Sequence, residues 1–544
     1  MWAAAGARAH AAPHLVLVGV CIFLAWPIFG SDFPPGVDSP TFLHLSWVSE
    51  QAIRGRLESP FVDPYWYGGF PYLKAYPPLG YGLVGLVSAV TPLGVGMVYG
   101  VFMVLSLVLI GTGTYWLGLE MGLRRLTATG AALAAVLAYP TLGAVFLWGW
   151  FTSLFALGLA LFALVFLLKA LRVGNVRYAA VSGVLFALVV LTHHMTAFAF
   201  GFALAVSSIV MVALQHKNWR PMLKQYAVVA GVALVISGPW VALFTLHLLD
   251  VGFRREIPGN WIVPLMDWRR NALNAKFIGI YWYPSYLGAV LIPAAVVGLS
   301  FALRQGARWG AMAVLLLVFT LFSFGATMVP LYHVFPFSGM DVARFPVYMA
   351  PFLGLMVACG LQGVERLIQA SWPRLKGQIS SVVVVVVLLA VVLLPMSRDA
   401  SRARASGHPY KVATEVKQAF SFVQAYVPPA SQAEAERLFT VGFWTWGSFL
   451  APYLTDRPLA DGWADEGAAS WREVRQLRYM SWSGQVDPRI AHSLLKQLGV
   501  RWVVVYDSYP LEHPLQWADA MRKQRELFSE GPVWGPVSTF RVSW

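Results

Sequence analysis

The sequence predicts a polytopic α-helical membrane protein carrying a C-terminal extracytoplasmic α/β domain. Three observations predict it. The 544 residues are 58% hydrophobic and only 12% charged, against roughly 45–50% and 25% in soluble domains. About eleven apolar runs approach the roughly 20 residues that cross a bilayer. After residue 396 the composition turns: charge rises, apolar runs shorten, and helix-like "PRIAHSLLKQLG" and strand-like "RWVVVY" appear. A membrane domain is therefore expected over 1–396, with interfacial helices in a first external loop at 31–78. A soluble domain is expected over 397–544, roughly 145 residues, an ordinary domain size.

The expected spans are 14–30, 97–118, 126–142, 152–170, 178–193, 197–214, 225–247, 284–303, 309–330, 346–369 and 378–396. Residues 1–13 carry one Lys/Arg, Arg8, and "FGSDFPP" is a poor cleavage site. Run 14–30 therefore reads as a retained span rather than a signal peptide. Lys/Arg clusters at 124–125, 169–177, 216–224, 304–308 and 373–376 fall at alternate span ends. Placing them all in the cytoplasm puts the N-terminus inside and the C-terminal domain outside. Run 79–90 is short, and a full crossing there would put the clusters at 124–125 and 169–177 outside, so it reads as a re-entrant or short helix. The net charge of +14 is then loop charge, and with no compact basic module a nucleic-acid partner is not expected. Cys21 and Cys359 lie inside apolar runs without metal-spaced partners and read as packing residues.

The first loop opens "GVDSPTFLH". Ser39 is a good N-cap and Pro40 a good first helical residue. Phe42, Leu45, Val48 and Ala52 give the helix an apolar face suited to the membrane surface. Asp38 precedes it, where the positive end of the helix dipole favours the ionised carboxylate. Such a group suits a general base or a metal ligand, and a plain loop or capping aspartate is the other reading. The loop continues "DPYWYGGFPYLKAYPPLGY". Rings with sparse acids suit a sugar, which stacks on rings and bonds to carboxylates; an interfacial aromatic belt is the other reading. Asp63 is a second acid, Asp32 a third just past the first span, and His44 lines a site or simply sits at the interface.

Two other constellations fall at external ends. "LTHHMTAF" joins the two short spans 178–193 and 197–214, putting His193 and His194 at membrane depth. Histidines there are costly unless they face a polar cavity or bond between helices. Arg344 in "MDVARFPVYMAP" heads a long span, where a guanidinium suits bidentate bonding to phosphate or simply snorkels. Arg254, Arg255, Arg269 and Arg270 in the second external loop (248–283) are further cations.

The succession "GVDSPTFLH", "IRGRL", "DPYWYGGFP", "YPPLGY" resembles the first external loop of the GT-C superfamily, polytopic glycosyltransferases that use polyprenyl-phosphate-linked donors. Within it, the chain resembles prokaryotic membrane proteins labelled "6-pyruvoyl-tetrahydropterin synthase-related", a label that does not imply pterin chemistry. The resemblance implies Asp38 as catalytic base, Asp63 as a weaker candidate for second acid or metal ligand, and Arg344 with His193 and His194 at the donor phosphate. It implies a polyprenyl-phosphate-linked sugar as donor and membrane lipids as surroundings. The acceptor is a glycan, lipid or protein, and no cofactor is required beyond an optional divalent metal (Mg or Mn) bridging Asp38 and phosphate. "FWTWGSFLAPYLTDRPLADGW" resembles the W-W-D-Y-G signature of oligosaccharyltransferases through Trp444, Trp446, Gly447, Arg457 and Asp461. Thr445 stands where that signature has aspartate, which argues against asparagine-linked transfer. The absence of a dinucleotide fingerprint or P-loop agrees with a lipid-linked donor. The rival classes are a transporter or flippase and a non-catalytic assembly subunit. Both accommodate the spans, but a transporter does not account for the ring-rich loop or the outer domain, and no repeated halves are present.

Overall fold

A computed structural model describes the chain except residues 1, 31, 58, 68, 216–218, 252–285, 326–328, 335–336, 338–339, 372–377, 407–410, 427–435, 444–445, 463–469, 508–511 and 544. The second external loop from residue 252 on, with its four arginines, and Trp444 and Thr445 therefore lie outside the described residues. The chain divides into two compact units. One comprises 1–30, 100–239 and 254–409; the other comprises 31–99, 240–253 and 410–544.

In chain order the helices are α1 (Trp2–Ala25), α2 (Ser39–Ile53), α3 (Tyr72–Ala75), α4 (Leu79–Val90), α5 (Val95–Glu120), α6 (Arg125–Leu137), α7 (Tyr139–Gly143), α8 (Phe151–Val173), α9 (Val176–Thr192), α10 (His194–Leu214) and α11 (Trp219–Val251). They continue with α12 (Leu291–Ala302), α13 (Ala307–Ser323), α14 (Phe345–Ser371) and α15 (Gln378–Ser406). Among the described residues, seven helices are long and apolar enough to cross a membrane, or eight when the bent α6–α7 segment counts as one span. The expected spans 178–193, 284–303 and 309–330 fall on α9, α12 and α13, which are apolar but shorter.

The first unit is built around α14. In its most apolar 18-residue stretch 94% of the residues are buried, whereas in the corresponding stretches of α11 and α15 only 22% are. A helix apolar all round and enclosed by protein is an interior helix. Exposed side chains on α15 such as Val387, Val391 and Leu394 have the apolar character that lipid tails accept. Small residues let α12 cross α14 closely: a Cβ on Gly298 would sit 1.7 Å from the Met356 carbonyl oxygen. Close backbone approach of this kind is the usual packing device between membrane helices. The expected straight span 126–142 is instead broken at Ala138 and bent by 44°. It passes through α7 into a π-helical turn at Ala144–Trp148, closed by left-handed Gly149 (φ +68°).

The second unit holds a four-stranded sheet of order β1-β2-β4-β3, with β1 (Arg437–Val441) parallel to β2 (Val500–Tyr506). β3 (Phe528–Trp534) and β4 (Val537–Val542) form an antiparallel hairpin, and β4 also pairs antiparallel with β2. Helices α16 (Thr414–Tyr426), α17 (Gly447–Thr455), α18 (Trp471–Ser483), α19 (Pro488–Gln497) and α20 (Pro514–Lys523) complete it. The helix and strand expected from "PRIAHSLLKQLG" and "RWVVVY" are α19 and β2. Asp487 caps α19 by accepting from Arg489 N at 2.9 Å and Ile490 N at 3.2 Å.

The first loop belongs to this unit and extends the sheet. Leu459 N donates to Tyr65 O at 2.7 Å, while Ala460 N donates to Leu438 O at 2.8 Å. Residues 458–460 thus bridge strand β1 to the segment around Trp66. Twelve of the fifteen residues of α2 are buried, which corrects the expectation of a helix lying on the membrane surface. The reason is tertiary: α2 packs against α4 and α17. At the α4 crossing a Cβ on Gly85 would lie 2.7 Å from the Ser46 carbonyl oxygen, so glycine permits the approach. α4 itself has twelve residues, about 18 Å at 1.5 Å per residue, less than the roughly 30 Å hydrocarbon thickness.

Candidate functional site

Asp38 occupies the N-cap position of α2, one residue earlier than expected, with Ser39 and Pro40 inside the first turn. Its carbonyl accepts from Thr41 N at 3.1 Å and Phe42 N at 3.4 Å. The side chain makes no capping bond, so the carboxylate is not consumed by the helix start. The Ser39 hydroxyl turns back to donate to Pro35 O at 2.6 Å and lies 3.4 Å from the Tyr99 hydroxyl. Asp38 is half-buried and close enough to Tyr99 for its charge to act there.

The other acids of the loop have structural partners. Asp32 is exposed and accepts from Val412 N at 3.1 Å, tying the loop to the first residues of the C-terminal segment. Asp63 Oδ2 and His44 Nε2 are hydrogen-bonded at 2.7 Å with neither side chain exposed. The His44 ring stacks on Trp66 at 4.1 Å and 5°. Neither residue is open to a substrate in this structure, because each is sealed in the interior against the other.

The ring-rich loop docks on the segment that resembles the oligosaccharyltransferase signature. Trp66 Nε1 donates to Ser448 O at 2.8 Å, the Tyr67 hydroxyl to Gly462 O at 2.7 Å, and the Tyr65 hydroxyl to Asp456 at 2.6 Å. Burial, aided by Asp456, pushes the Tyr65 phenol well above its ordinary range. Trp446 packs on Phe33. Asp461 is buried and pairs with Arg478 at 3.0 Å. Burial raises its carboxyl above the usual range, and the Arg478 guanidinium opposes that rise. In this chain Tyr65, Trp66 and Tyr67 are therefore anchors of the loop, and the segment 446–462 is their platform.

The first unit holds a second constellation. Arg344 closes a short 3-10 turn, Val342–Arg344, immediately before α14. It is 9% exposed, lies 3.3 Å from Asp341 Oδ2, and places its guanidinium 4.3 Å from the Trp150 ring centre. Such cation–π contacts strengthen when desolvated. Trp150 stacks on Trp148 at 4.5 Å across left-handed Gly149. The histidines sit where α9 and α10 meet, separated only by His193 in extended backbone (φ −158°). Their rings are 5.7 Å apart, and the Arg344 charge acts on both. Arg344, His193 and His194 are thus brought together.

Sequence reasoning missed the groups around them. The Thr196 hydroxyl lies 2.8 Å from His193 Nδ1 and 2.9 Å from the Tyr348 hydroxyl, with Ser153 3.3 Å from both hydroxyls. The signals were present: Tyr348 follows Arg344 by four residues, one helical turn, and Thr196 stands three after His193. "WGWF" marked the turn that carries Trp150. Among the described residues no three His, Cys, Asp or Glu side chains gather as metal ligands.

Solved structures share this architecture at low identity. Arabinofuranosyltransferase AftD from Mycobacteria aligns with a TM-score of 0.63 and 16% identity over 98% of this chain, which spans only 40% of AftD. The archaeal oligosaccharyltransferase AglB from Archaeoglobus fulgidus, in complex with an inhibitory peptide and a dolichol-phosphate, gives 0.59 and 14% over 97% of this chain and 74% of its own. ArnT from Cupriavidus metallidurans bound to undecaprenyl phosphate gives 0.55 and 15% over 97% of each chain. No curated protein matches in sequence. The fold is therefore that of the GT-C membrane glycosyltransferases. Residues 73–401, more than half of the chain, match the 6-pyruvoyl-tetrahydropterin synthase related domain, a membrane protein family, and the chain belongs to that family.

Proposed function

We propose that the protein is an inverting glycosyltransferase that moves a sugar from a polyprenyl-phosphate-linked donor to a hydroxyl of an extracytoplasmic glycan, lipid or protein. The observation that carries this reading is the Arg344–His193–His194 cluster on Trp150. Cationic and imidazole groups among membrane helices are costly unless they serve an anion or a pathway, and a lipid-borne phosphate is the anion native to that depth. The undecaprenyl phosphate bound to ArnT and the dolichol-phosphate bound to AglB support the same ligand class here. The N-terminus is placed in the cytoplasm and the sheet domain outside, on Lys/Arg placement.

In this mechanism Asp38 accepts the proton of the acceptor hydroxyl as its oxygen attacks the anomeric carbon. The bond from that carbon to the phosphate oxygen breaks, and the phosphate leaves with the electron pair. Arg344 stabilises the developing charge, as preorganised donors do for a leaving anion. Removing the protein from its host should enlarge the pool of one polyprenyl-phospho-sugar; an unchanged lipid pool would sink the donor assignment. Arg344→Ala should raise the KM for the lipid donor by about tenfold or more, the worth of a hydrogen bond to a charged group. The acceptor KM should stay in place. Equal loss toward both substrates would count against a phosphate role.

A further inference from the structure

Thr196, through its backbone N–H and its hydroxyl together, fixes the protonation pattern of His193. As N-cap of α10, its Nδ1 accepts the Thr196 N–H at 3.1 Å. A backbone N–H only donates, so Nδ1 carries no proton. The Thr196 hydroxyl, 2.8 Å from the same nitrogen, must then donate to it as well. Its oxygen accepts from the Tyr348 hydroxyl at 2.9 Å. The chain therefore runs one way: Tyr348 to Thr196 to His193 Nδ1, with every member buried. A neutral imidazole has one N–H, which is left on Nε2. Among the described residues no acceptor meets Nε2. An imidazolium would need a proton on Nδ1, where two donors already point. A divalent metal would need the Nε2 lone pair, which the remaining proton occupies.

We propose that the Tyr348–Thr196 chain holds His193 as a neutral Nε2–H donor that binds an anionic phosphate oxygen, and that His193 is not a metal ligand. This rests on the phosphate reading of the Arg344 cluster. Arg344 supplies charge, His193 supplies direction, and Thr196 and Tyr348 are positioning residues.

Two measurements on the full chain in detergent micelles test it. Nitrogen NMR of histidine-labelled protein, with His193 assigned by loss of its signals in His193→Gln, should show a protonated Nε2 and a bare Nδ1. A protonated Nδ1, or averaging between the two forms, overturns the proposal. In calorimetric titrations Thr196→Val should weaken undecaprenyl phosphate binding about tenfold. Thr196→Ser should restore it, and Tyr348→Phe should fall between. Competition by inorganic phosphate assigns the affinity to the phosphate group alone; its absence assigns it to the lipid-borne group. Under either result the Thr196→Val loss supports the proposal. Unchanged binding in Thr196→Val alongside loss in Arg344→Ala overturns the chain while leaving the phosphate site standing. Unchanged binding in Arg344→Ala overturns the phosphate reading itself.

Discussion

Asp38→Asn is expected to cut sugar transfer by roughly 10²–10⁴-fold, the usual worth of a positioned general base, while leaving the fold and donor binding intact. The fold should survive because the start of α2 uses the Asp38 backbone carbonyl, which bonds to Thr41 N and Phe42 N, and not the carboxylate. Asparagine is also as good an N-cap residue as aspartate. Donor binding should survive because it is assigned to Arg344 and the histidines. The expected pattern is thus a lost kcat with little change in donor KM, which marks a group acting in the transition state. Asp38→Glu keeps the charge but moves the oxygens by about one bond, and should retain part of the rate. Full transfer in a correctly inserted Asp38→Asn protein would place the base elsewhere. A protein that only moved lipids would show no sugar transfer at all, in wild type or variant.

Much of this molecule was legible because its signals are local. Apolar runs identify membrane helices without any knowledge of partners, and "PRIAHSLLKQLG" followed by "RWVVVY" carries its own helix and strand periods. The break between α9 and α10 was visible in the paired histidines. The burial of α2 was not, because its partners come from far along the chain: α17 begins at Gly447, some four hundred residues later. The apolar positions Phe42, Leu45, Val48 and Ala52 describe one face, whereas the structure also buries Thr41, His44 and Ser46. The same distance hid the roles of Asp32 and the loop aromatics, whose partners Val412, Ser448, Asp456 and Gly462 are tertiary. A carboxylate and an imidazole read from sequence as candidate chemistry; only coordinates reveal that Asp63 and His44 spend theirs on each other.

Asp63→Leu should destabilise the sheet-bearing unit by about 3–5 kcal/mol, the sum for two buried groups left unsatisfied at roughly 1–3 kcal/mol each. Thermal unfolding of the full chain in detergent, followed by tryptophan fluorescence, should fall by on the order of 10 °C. Three losses coincide. His44 Nε2 loses its partner at 2.7 Å with no solvent to replace it. Tyr65 N loses its bond to Asp63 Oδ1 at 2.9 Å. The Trp66 ring, stacked on His44 and anchored to Ser448 O, then rests on an unsatisfied imidazole. Asp63→Asn keeps one oxygen to accept from Tyr65 N–H and turns its NH2 toward His44 Nε2, which can accept it only in the other imidazole tautomer, so it should cost less than Asp63→Leu. His44→Phe with Asp63→Leu removes both polar groups and keeps a ring for Trp66 to stack on, so it should recover most of the loss. Single effects that simply add would show that the two side chains do not act as a pair. The double variant also separates holding from chemistry, because His44 and Asp38 share α2. If stability returns and transfer returns with it, the pair only holds the helix that presents Asp38. Stability without transfer would mean that the carboxylate–imidazole pair itself matters at the reacting centre.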